Sequence, residues 1–271
     1  MLTHAIDTFR LWRVLVGAYA RGEMQYRVAF AFRVVGSFVI TIIDFAAVAV
    51  LLSRIPHLAG WSFGEVALLY GTAAICFATA EMLAGSLDFF DTFIQAGTFD
   101  RLLTRPISPL LQTMAEGFSL RRLGRAGQGF VVILIAFQSL QLTWTLEKAA
   151  VLALALASGT ALYFGIFILT AVFCFWTVQG KEATHVFTYG GEFMSMYPLE
   201  VYHGWLRRFV TFVIPLAFVN YYPALIILDR TDPLGLPPWL GLLSPLVALA
   251  VAVAASLAWH QGIRHYQSTG T

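Results

Sequence analysis

Residue types that carry enzymatic chemistry occur in this chain, but their spacing matches no reactive arrangement. A phosphate-binding loop needs Gly-x-x-x-x-Gly-Lys-Ser/Thr, because its backbone N–H groups and its lysine together hold the phosphates. The Gly180-Lys181 pair is followed by Glu182 and has Phe175 where the first glycine belongs. We therefore expect no ATP hydrolysis by this chain and no cofactor bound to it.

Histidine, cysteine and serine point to neither a metal site nor a nucleophile. The six histidines include no pair three or four positions apart, as metal ligands on one helix would be. Gly85-Ser86 lacks the flanking glycines of a nucleophile elbow. Cys76 and Cys174 lie inside apolar runs, where cysteine behaves as a small hydrophobic residue. We predict no catalytic residue and no metal site.

A few residues inside apolar runs are candidates for a transport path. Asp44 lies near the middle of such a run, where an ionisable residue is a functional candidate by default. It either lines a substrate path or pairs with an arginine or a polar group of a neighbouring helix. Pro215 interrupts a later run, as prolines beside cavities do. Tyr221 and Tyr222 belong either to an exit gate or to an interfacial aromatic belt.

The composition places these residues in a membrane. The 271-residue chain is 59% hydrophobic and 12% charged, and its mean hydropathy is +0.75. Soluble domains are roughly 45–50% apolar and about 25% charged. A net charge of +2 is too small to indicate a nucleic-acid partner. We predict an all-α polytopic membrane protein with one transmembrane domain, residues 1–271.

Six apolar runs approach the length of about 20 residues that spans a bilayer. They are residues 34–52, 66–85, 126–142, 149–178, 209–227 and 240–259. Basic residues favour the cytoplasmic connections, and this pattern predicts that both termini are cytoplasmic. The predicted outer segments hold three basic residues, Arg54, Lys148 and Arg230. The predicted inner segments hold fourteen: Arg10, Arg13, Arg21, Arg27, Arg33, Arg101, Arg105, Arg121, Arg122, Arg125, Lys181, Arg207, Arg208 and Arg264.

The segment before the first span is amphipathic. On a helical wheel, Arg10, Arg13 and Arg21 share one arc, and another arc is apolar. The apolar arc holds Phe9, Trp12, Leu15, Val16 and Tyr19. This pattern predicts a helix over about residues 8–22 that lies in the inner membrane interface. The alternative is a simple N-terminal extension of the first span.

The connection between spans two and three has an unusual aromatic pattern. Phe90, Phe93, Ile94 and Gly97 follow the i, i+3, i+4, i+7 spacing of one helical face. We predict a short cytoplasmic helix within residues 87–103 that exposes this apolar face. Such a face needs either a protein groove or lipid headgroups to cover it.

Two stretches resemble a known family. Residues 97–108, Gly-Thr-Phe-Asp-Arg-Leu-Leu-Thr-Arg-Pro-Ile-Ser, are similar to the cytoplasmic loop of type-two ABC exporter permeases, closest to a bacterial subfamily with two different permeases and one ATPase. The second stretch comprises Phe187–Gly191, Tyr197–Leu199 and Phe212–Ala224. The resemblance implies that residues 87–103 form a coupling helix on an ABC ATPase, with Asp100, Arg101 and Arg105 as polar contacts beside Phe90, Phe93 and Ile94. The inner connection around residues 181–208 is a second candidate contact.

The resemblance also implies a function and an assembly. We expect a permease subunit in the bacterial cytoplasmic membrane that exports a hydrophobic or amphipathic substrate such as a drug, a lipid or a lipid-linked glycan. A second copy or a related permease would complete the path, and ATP and Mg²⁺ would bind to the partner ATPase. The alternative is an ATP-independent secondary transporter or an intramembrane enzyme. Inverted repeats would favour the secondary transporter, and convergent polar groups in the spans would favour the enzyme.

Overall fold

The computed structural model describes residues 2–55, 57–140, 142–177 and 180–267. Within these residues the chain is helical and contains no β-strand, only an isolated bridge between Leu58 and Trp61, so the predicted all-α class is confirmed. The α-helices are α1 (Leu2–Gln25), α2 (Arg27–Arg54), α3 (Phe63–Ala84), α4 (Phe90–Gln95), α5 (Thr98–Leu103), α6 (Pro109–Glu116), α7 (Leu123–Leu140), α8 (Leu146–Val172), α9 (Cys174–Thr177), α10 (Lys181–Ser195), α11 (Gly204–Phe212), α12 (Tyr221–Leu228) and α13 (Ser244–His265).

Five helical segments of the described chain are long and apolar enough to cross a membrane. They are Arg27–Arg54, Phe63–Gln95, Leu120–Leu140, Leu146–Thr177 and Pro238–His265. Five of the six predicted spans fall on these segments. Two predicted ends pass beyond them, because α7 ends at Leu140 before residue 142 and Val178 lies outside the described residues.

Helix α3 is the centre of the bundle and packs against α7, α8 and α10. It begins with a capping box, in which the Ser62 backbone N–H donates to Glu65 Oε2 at 2.7 Å. The residues of α3 are mostly small or apolar on every side of the helix. Neighbouring helices can therefore pack around it, and most of its positions are buried. We call the end of the bundle at Trp61, where α3 and α8 begin, the Trp61 end. The opposite end, where α7 begins, is the Arg122 end.

The predicted fifth span, residues 209–227, is not one helix. It forms α11, a 3-10 turn at Leu216–Phe218 and α12. Pro215 favours the break because it has no backbone N–H to donate, whereas Pro223 is accommodated in the first turn of α12. Asn220 fixes the break, since its Nδ2 donates to the carbonyls of Leu69 at 2.8 Å and Ser195 at 2.7 Å.

The segment from α11 to α12 is a hairpin that enters the bundle and returns to the Trp61 end. Its turn lies deep, since a Cβ on Gly159, near the middle of α8, would be 2.8 Å from the Val219 carbonyl oxygen. After α12, Lys148 pairs with Asp229 at 2.7 Å. Arg230 pairs with Glu65, at the start of α3, at 3.0 Å.

Helix α10 links the two ends of the bundle. Near the Arg122 end, His185 contacts Phe89 and Tyr189 contacts Phe77. Further along, the Ser195 carbonyl accepts a hydrogen bond from Asn220. Just after the helix, Glu200 accepts a hydrogen bond from Tyr221, whose ring lies beside Trp61. The prediction that residues around 181–208 form an inner connection was therefore wrong, because α10 and the residues after it run from one end of the bundle to the other. Hydropathy missed α10 because its buried face is polar, formed by Thr184, Thr188, Glu192 and Ser195.

Helices α1 and α2 lie at the edge of the bundle. Helix α1 follows the predicted wheel in part: Arg10 and Arg13 are exposed and Trp12 is half-buried, but Tyr19 of the predicted apolar arc is 41% exposed, and the side chain of Phe9 lies outside the described residues. Glu23 fastens α1 to the Arg122 end by accepting hydrogen bonds from Ser119 Oγ at 2.9 Å and the Leu120 N–H at 2.7 Å. Helix α2 packs mainly against α7 and exposes most of its surface.

We predict that Gly124→Ala loosens α2. A Cβ at Gly124 collides with the Val34 carbonyl oxygen and lies 2.9 Å from the Phe38 nitrogen, both of which belong to the α2 backbone. Overpacking of this kind costs typically 1–3 kcal/mol. Gly127→Ala is the matched control, since its Cβ meets only a Phe38 ring carbon at 3.9 Å. Thermal unfolding in detergent should show a lower midpoint for the first variant alone; equal midpoints would contradict the close approach of α2 and α7.

Candidate functional site

A cluster of charged side chains is buried at the Arg122 end of the bundle. Arg122 pairs with Glu81 at 2.8 Å, and Arg125 pairs with Glu192 at 2.6 Å and with Glu81 at 3.8 Å. The carboxylates are almost inaccessible, with 0% of the Glu81 side chain and 3% of the Glu192 side chain exposed. An unpaired carboxylate at such a depth would be very costly. The pairs therefore determine how α3, α7 and α10 meet.

Local helix geometry brings these groups together. Arg122 ends the 3-10 turn Leu120–Arg122 that leads into α7, and Arg125 lies in the first turn of α7. Tyr189 and Glu192 are three positions apart on α10 and therefore share a face. Tyr189 Oη donates to Glu81 Oε1 at 2.7 Å. The Arg125 guanidinium also lies 4.9 Å from the centre of the Phe77 ring.

The sequence alone predicts only part of this cluster. In the sequence, Glu81 lies near the inner end of the predicted second span, where an interfacial position is the simpler interpretation, and Glu116 is close enough to Arg121 and Arg122 for a local salt bridge. The structure instead pairs Arg122 with Glu81 and leaves Glu116 exposed. Glu192 was missed because it fell in the presumed loop. The i, i+3 spacing of Tyr189 and Glu192 was the available signal.

Residues 87–103 are called the coupling region here, after their predicted role, and their predicted apolar face points inward. Phe90 is 0% and Ile94 is 2% exposed. The Phe90 ring centre lies 5.2 Å from those of Phe99, Phe175 and Trp259. The expectation of an exposed apolar face on Phe90 and Ile94 was therefore wrong, because α9 and the end of α13 cover it. Phe93 is half-buried.

The outer surface of this region is formed by other residues. Arg101, Leu103 and Arg105 are exposed, with Leu103 at 39%. Asp100 is half-buried and interacts with Tyr266, just after α13. Burial of Tyr266, together with the nearby Asp100 carboxylate, raises the pKa of the tyrosine to about 12. The coupling region is thus packed onto the end of α13 and presents a basic and leucine-containing outer face.

The predicted path residues do not form one site. Asp44 is exposed on α2 and has no ion-pair partner among the described residues. Tyr221 and Tyr222 are buried, so they are not belt residues. Tyr221 Oη donates to Glu200 Oε1 at 3.0 Å, and its ring centre is 5.7 Å from that of Trp61.

Pro215 has a different environment. It lines an apolar cavity between α8, α13 and the hairpin of α11 and α12. Asp44 and Pro215 therefore belong to different surfaces of the bundle.

These features define a class of protein. Long apolar helices surround a buried charged cluster, and a short helical region caps one end of the bundle, as expected of a multi-pass membrane protein. The family model for ABC-2 family transporter proteins matches residues 38–270, so the chain belongs to the ABC-2 transporter family. This confirms the resemblance and supports a permease role. Comparison with curated proteins found no match, and comparison with solved structures found none.

We predict that Arg125→Ala strongly destabilises the bundle. The change leaves Glu192 buried without its partner, and breaking a buried pair from one side costs about 3–5 kcal/mol. Arg121→Ala is the control, because it also removes an arginine from the start of this segment, four residues before Arg125, but Arg121 is exposed. Thermal unfolding in detergent should separate the two variants. Adding Glu192→Gln to Arg125→Ala should restore part of the loss, and a loss equal to that of the control would contradict a structural role.

Proposed function

We propose that the chain is the transmembrane permease subunit of an ATP-driven exporter. Family membership supports a transporter function, and one structural feature supports the proposal that ATP hydrolysis by a partner drives it. A short helical region between α3 and α7 is packed onto the spans through Phe90 and offers Arg101, Leu103 and Arg105 on its outer face. Such a region suits an ABC ATPase as its partner, with ATP and Mg²⁺ held by that partner.

The proposed topology has six membrane passes with cytoplasmic termini. The five long helices supply five passes, and α10 with the hairpin of α11 and α12 supplies the other. In this arrangement Arg207 and Arg208 move to the outer side, since Arg207 donates to the Leu199 carbonyl at 3.0 Å near the Trp61 end. Twelve basic residues then lie inside against five outside, and this bias still favours cytoplasmic termini. Helix α1 is proposed to lie in the cytoplasmic interface of a bacterial inner membrane.

The proposed mechanism depends on the links between the coupling region and the charged cluster. Glu81 lies four residues before the 3-10 turn Gly85–Phe89, which leads directly into α4. When the ATPase subunits close, their push on the coupling region reaches α3 through this turn and α13 through Phe90. Arg125 then carries the displacement to α10 through Glu192. The permease converts this motion into access for a substrate and performs no chemistry itself.

A second permease, identical or related, completes the assembly in this proposal. Helix α10 exposes an apolar face that includes Val186 at 66% and Phe193 at 61%. The substrate class that suits such apolar surfaces is a hydrophobic or amphipathic molecule, including drugs, lipids and lipid-linked glycans. Asp44 is proposed to line the water-accessible part of the path, because no ionic partner for it exists among the described residues.

We expect a tagged wild-type chain to recover an ABC ATPase from its native membranes. The combined variant Arg101→Glu, Leu103→Asp and Arg105→Glu should lose that ATPase, because it reverses the charge and polarity of the exposed face. Arg54→Glu, at the Trp61 end, is the control for charge reversal. Affinity purification with mass spectrometry measures the partner, and size-exclusion chromatography checks folding.

The outcomes separate the alternatives. A monodisperse wild-type chain without an ATPase would overturn the proposed function and favour a secondary transporter or an enzyme. Retention of the ATPase by the combined variant would place the contact elsewhere. Phe90→Asp is unsuitable for this test, since Phe90 is a core residue and the change would unfold the region.

A second test examines Asp44. We expect Asp44→Cys to react with a membrane-impermeant maleimide in the assembled transporter, because thiolate formation requires water. Ile43→Cys is the control, as Ile43 is 61% exposed on the same helix but belongs to its apolar surface. The native Cys76 and Cys174 are buried and should give little background. Equal labelling of the two positions, or none at position 44, would contradict a path role.

A further inference from the structure

The cavity beside Pro215 has a volume of about 990 Å³. This volume lies at the upper end of the roughly 300–1,000 Å³ typical of ligand pockets. It is bounded by α8, α13 and the hairpin of α11 and α12, with one contribution from α10. Representative lining residues are Ile166, Phe173, Phe187, Phe212, Val251 and Ala258.

The lining offers almost nothing to a polar ligand. Among the lining residues in the described part of the chain, Thr170 and Thr211 carry hydroxyl groups and Trp176 carries an indole N–H. Thr170 Oγ1 donates to the Ile166 carbonyl at 3.0 Å, and Thr211 Oγ1 donates to the Arg207 carbonyl at 2.8 Å. Their hydroxyl hydrogens are thus used within their own helices. A polar group buried here would lose its hydrogen bonds to water without replacement, so the geometry favours hydrocarbon.

The cavity is open toward the membrane side of the bundle. Phe173, Trp176, Phe212 and Val213 line it, and each remains more than half exposed. Along α8 and α9 the lining runs from Ile166 to Trp176, which is the part of this segment nearer the Arg122 end. An acyl chain could therefore enter sideways from the leaflet at that end.

Basic residues lie where the cavity reaches the Arg122 end. The Trp176 ring centre is 5.7 Å from that of His265, and the preceding residue of α13, Arg264, is exposed at the same end of the helix. His260 and His265 each contact a carbonyl of α13 through Nδ1, at 2.6 Å and 3.1 Å. The Nε2 atoms of both exposed rings take no part in these contacts. At the same end, Asp100 interacts with Tyr266.

We propose that this cavity binds the acyl chains of an anionic phospholipid from the surrounding bilayer, whose phosphate lies against Arg264 and His265. Transfer from bilayer to cavity gains little hydrophobic free energy, because the chains leave one hydrocarbon environment for another. Selectivity must then come from packing and from the charged headgroup. The proposal deepens the proposed function, on which it rests, by naming the lipid class that enters the exporter from the cytoplasmic leaflet.

The test uses the purified full-length chain in nanodiscs of phosphatidylcholine. Phosphatidylglycerol with a diazirine at the end of one acyl chain is added at trace level and irradiated. Labelled peptides are then located by mass spectrometry. We expect labels within residues 166–176 and 209–215. A phosphatidylcholine probe with the same chains should give about tenfold less label, equivalent to about 1.4 kcal/mol.

Variants separate the site from general lipid contact. Ala254→Phe fills the cavity and should remove the labels, whereas Val253→Phe, on the same helix but outside the lining, should keep them. Arg264→Gln with His265→Gln should reduce phosphatidylglycerol labelling to the phosphatidylcholine level. Equal labelling of both lipids, or of both phenylalanine variants, would overturn the proposal. Protection of the cavity by a second copy of the chain, seen as crosslinks through Phe212→Cys without lipid label, would also overturn it.

This experiment is independent of the ATPase. Selective lipid labelling of a chain that recovers no ATPase would support the lipid site and contradict the proposed exporter. Recovery of the ATPase without selective labelling would support the exporter and contradict the lipid site.

Discussion

The arrangement of the bundle depends on the need to neutralise two carboxylates that water cannot reach. Glu81 and Glu192 belong to different helices, and their charges are balanced by arginines at the start of a third. In a low-dielectric interior such a network is stable only when all its members are in place. It therefore acts as a geometric specification of how α3, α7 and α10 approach each other, beyond any net stability that it adds.

The same constraint explains the reversed amphipathicity of α10. A helix that meets a charged cluster must turn its polar face inward, and α10 does so with Thr184, Thr188 and Glu192. Its apolar side, including Phe193, is then exposed to lipid or to another subunit. In water this arrangement would be unstable, but in a bilayer the apolar side costs little. The polar residues that lower the hydropathy of α10 are thus the ones that hold it in the bundle.

What could be predicted from the sequence follows from this physics. The spans on α2, α3, α7, α8 and α13 were predictable because each is a long apolar run, a property that is local in the chain. Helix α10 was not, because its polar face finds its partners on α3 and α7, far away in sequence. Spacing also predicted the apolar stripe that contains Phe90 and Ile94, but the stripe was expected to be exposed and is buried. Periodicity shows that two residues share a face, while tertiary packing decides whether that face meets a partner or the chain's own core.

The inward position of Phe90 changes how force would pass through the proposed exporter. An exposed aromatic helix would have to grip its ATPase by apolar contact alone. Here the aromatic side chains join the coupling region to Phe175 in α9 and to Trp259 near the end of α13. The partner then needs only a surface contact with residues such as Arg101, because the aromatic packing already makes α4, α5 and the span ends move together. A docking contact that is weak and polar, backed by a rigid apolar junction, allows an ATPase to engage strongly enough to push and still to release after hydrolysis.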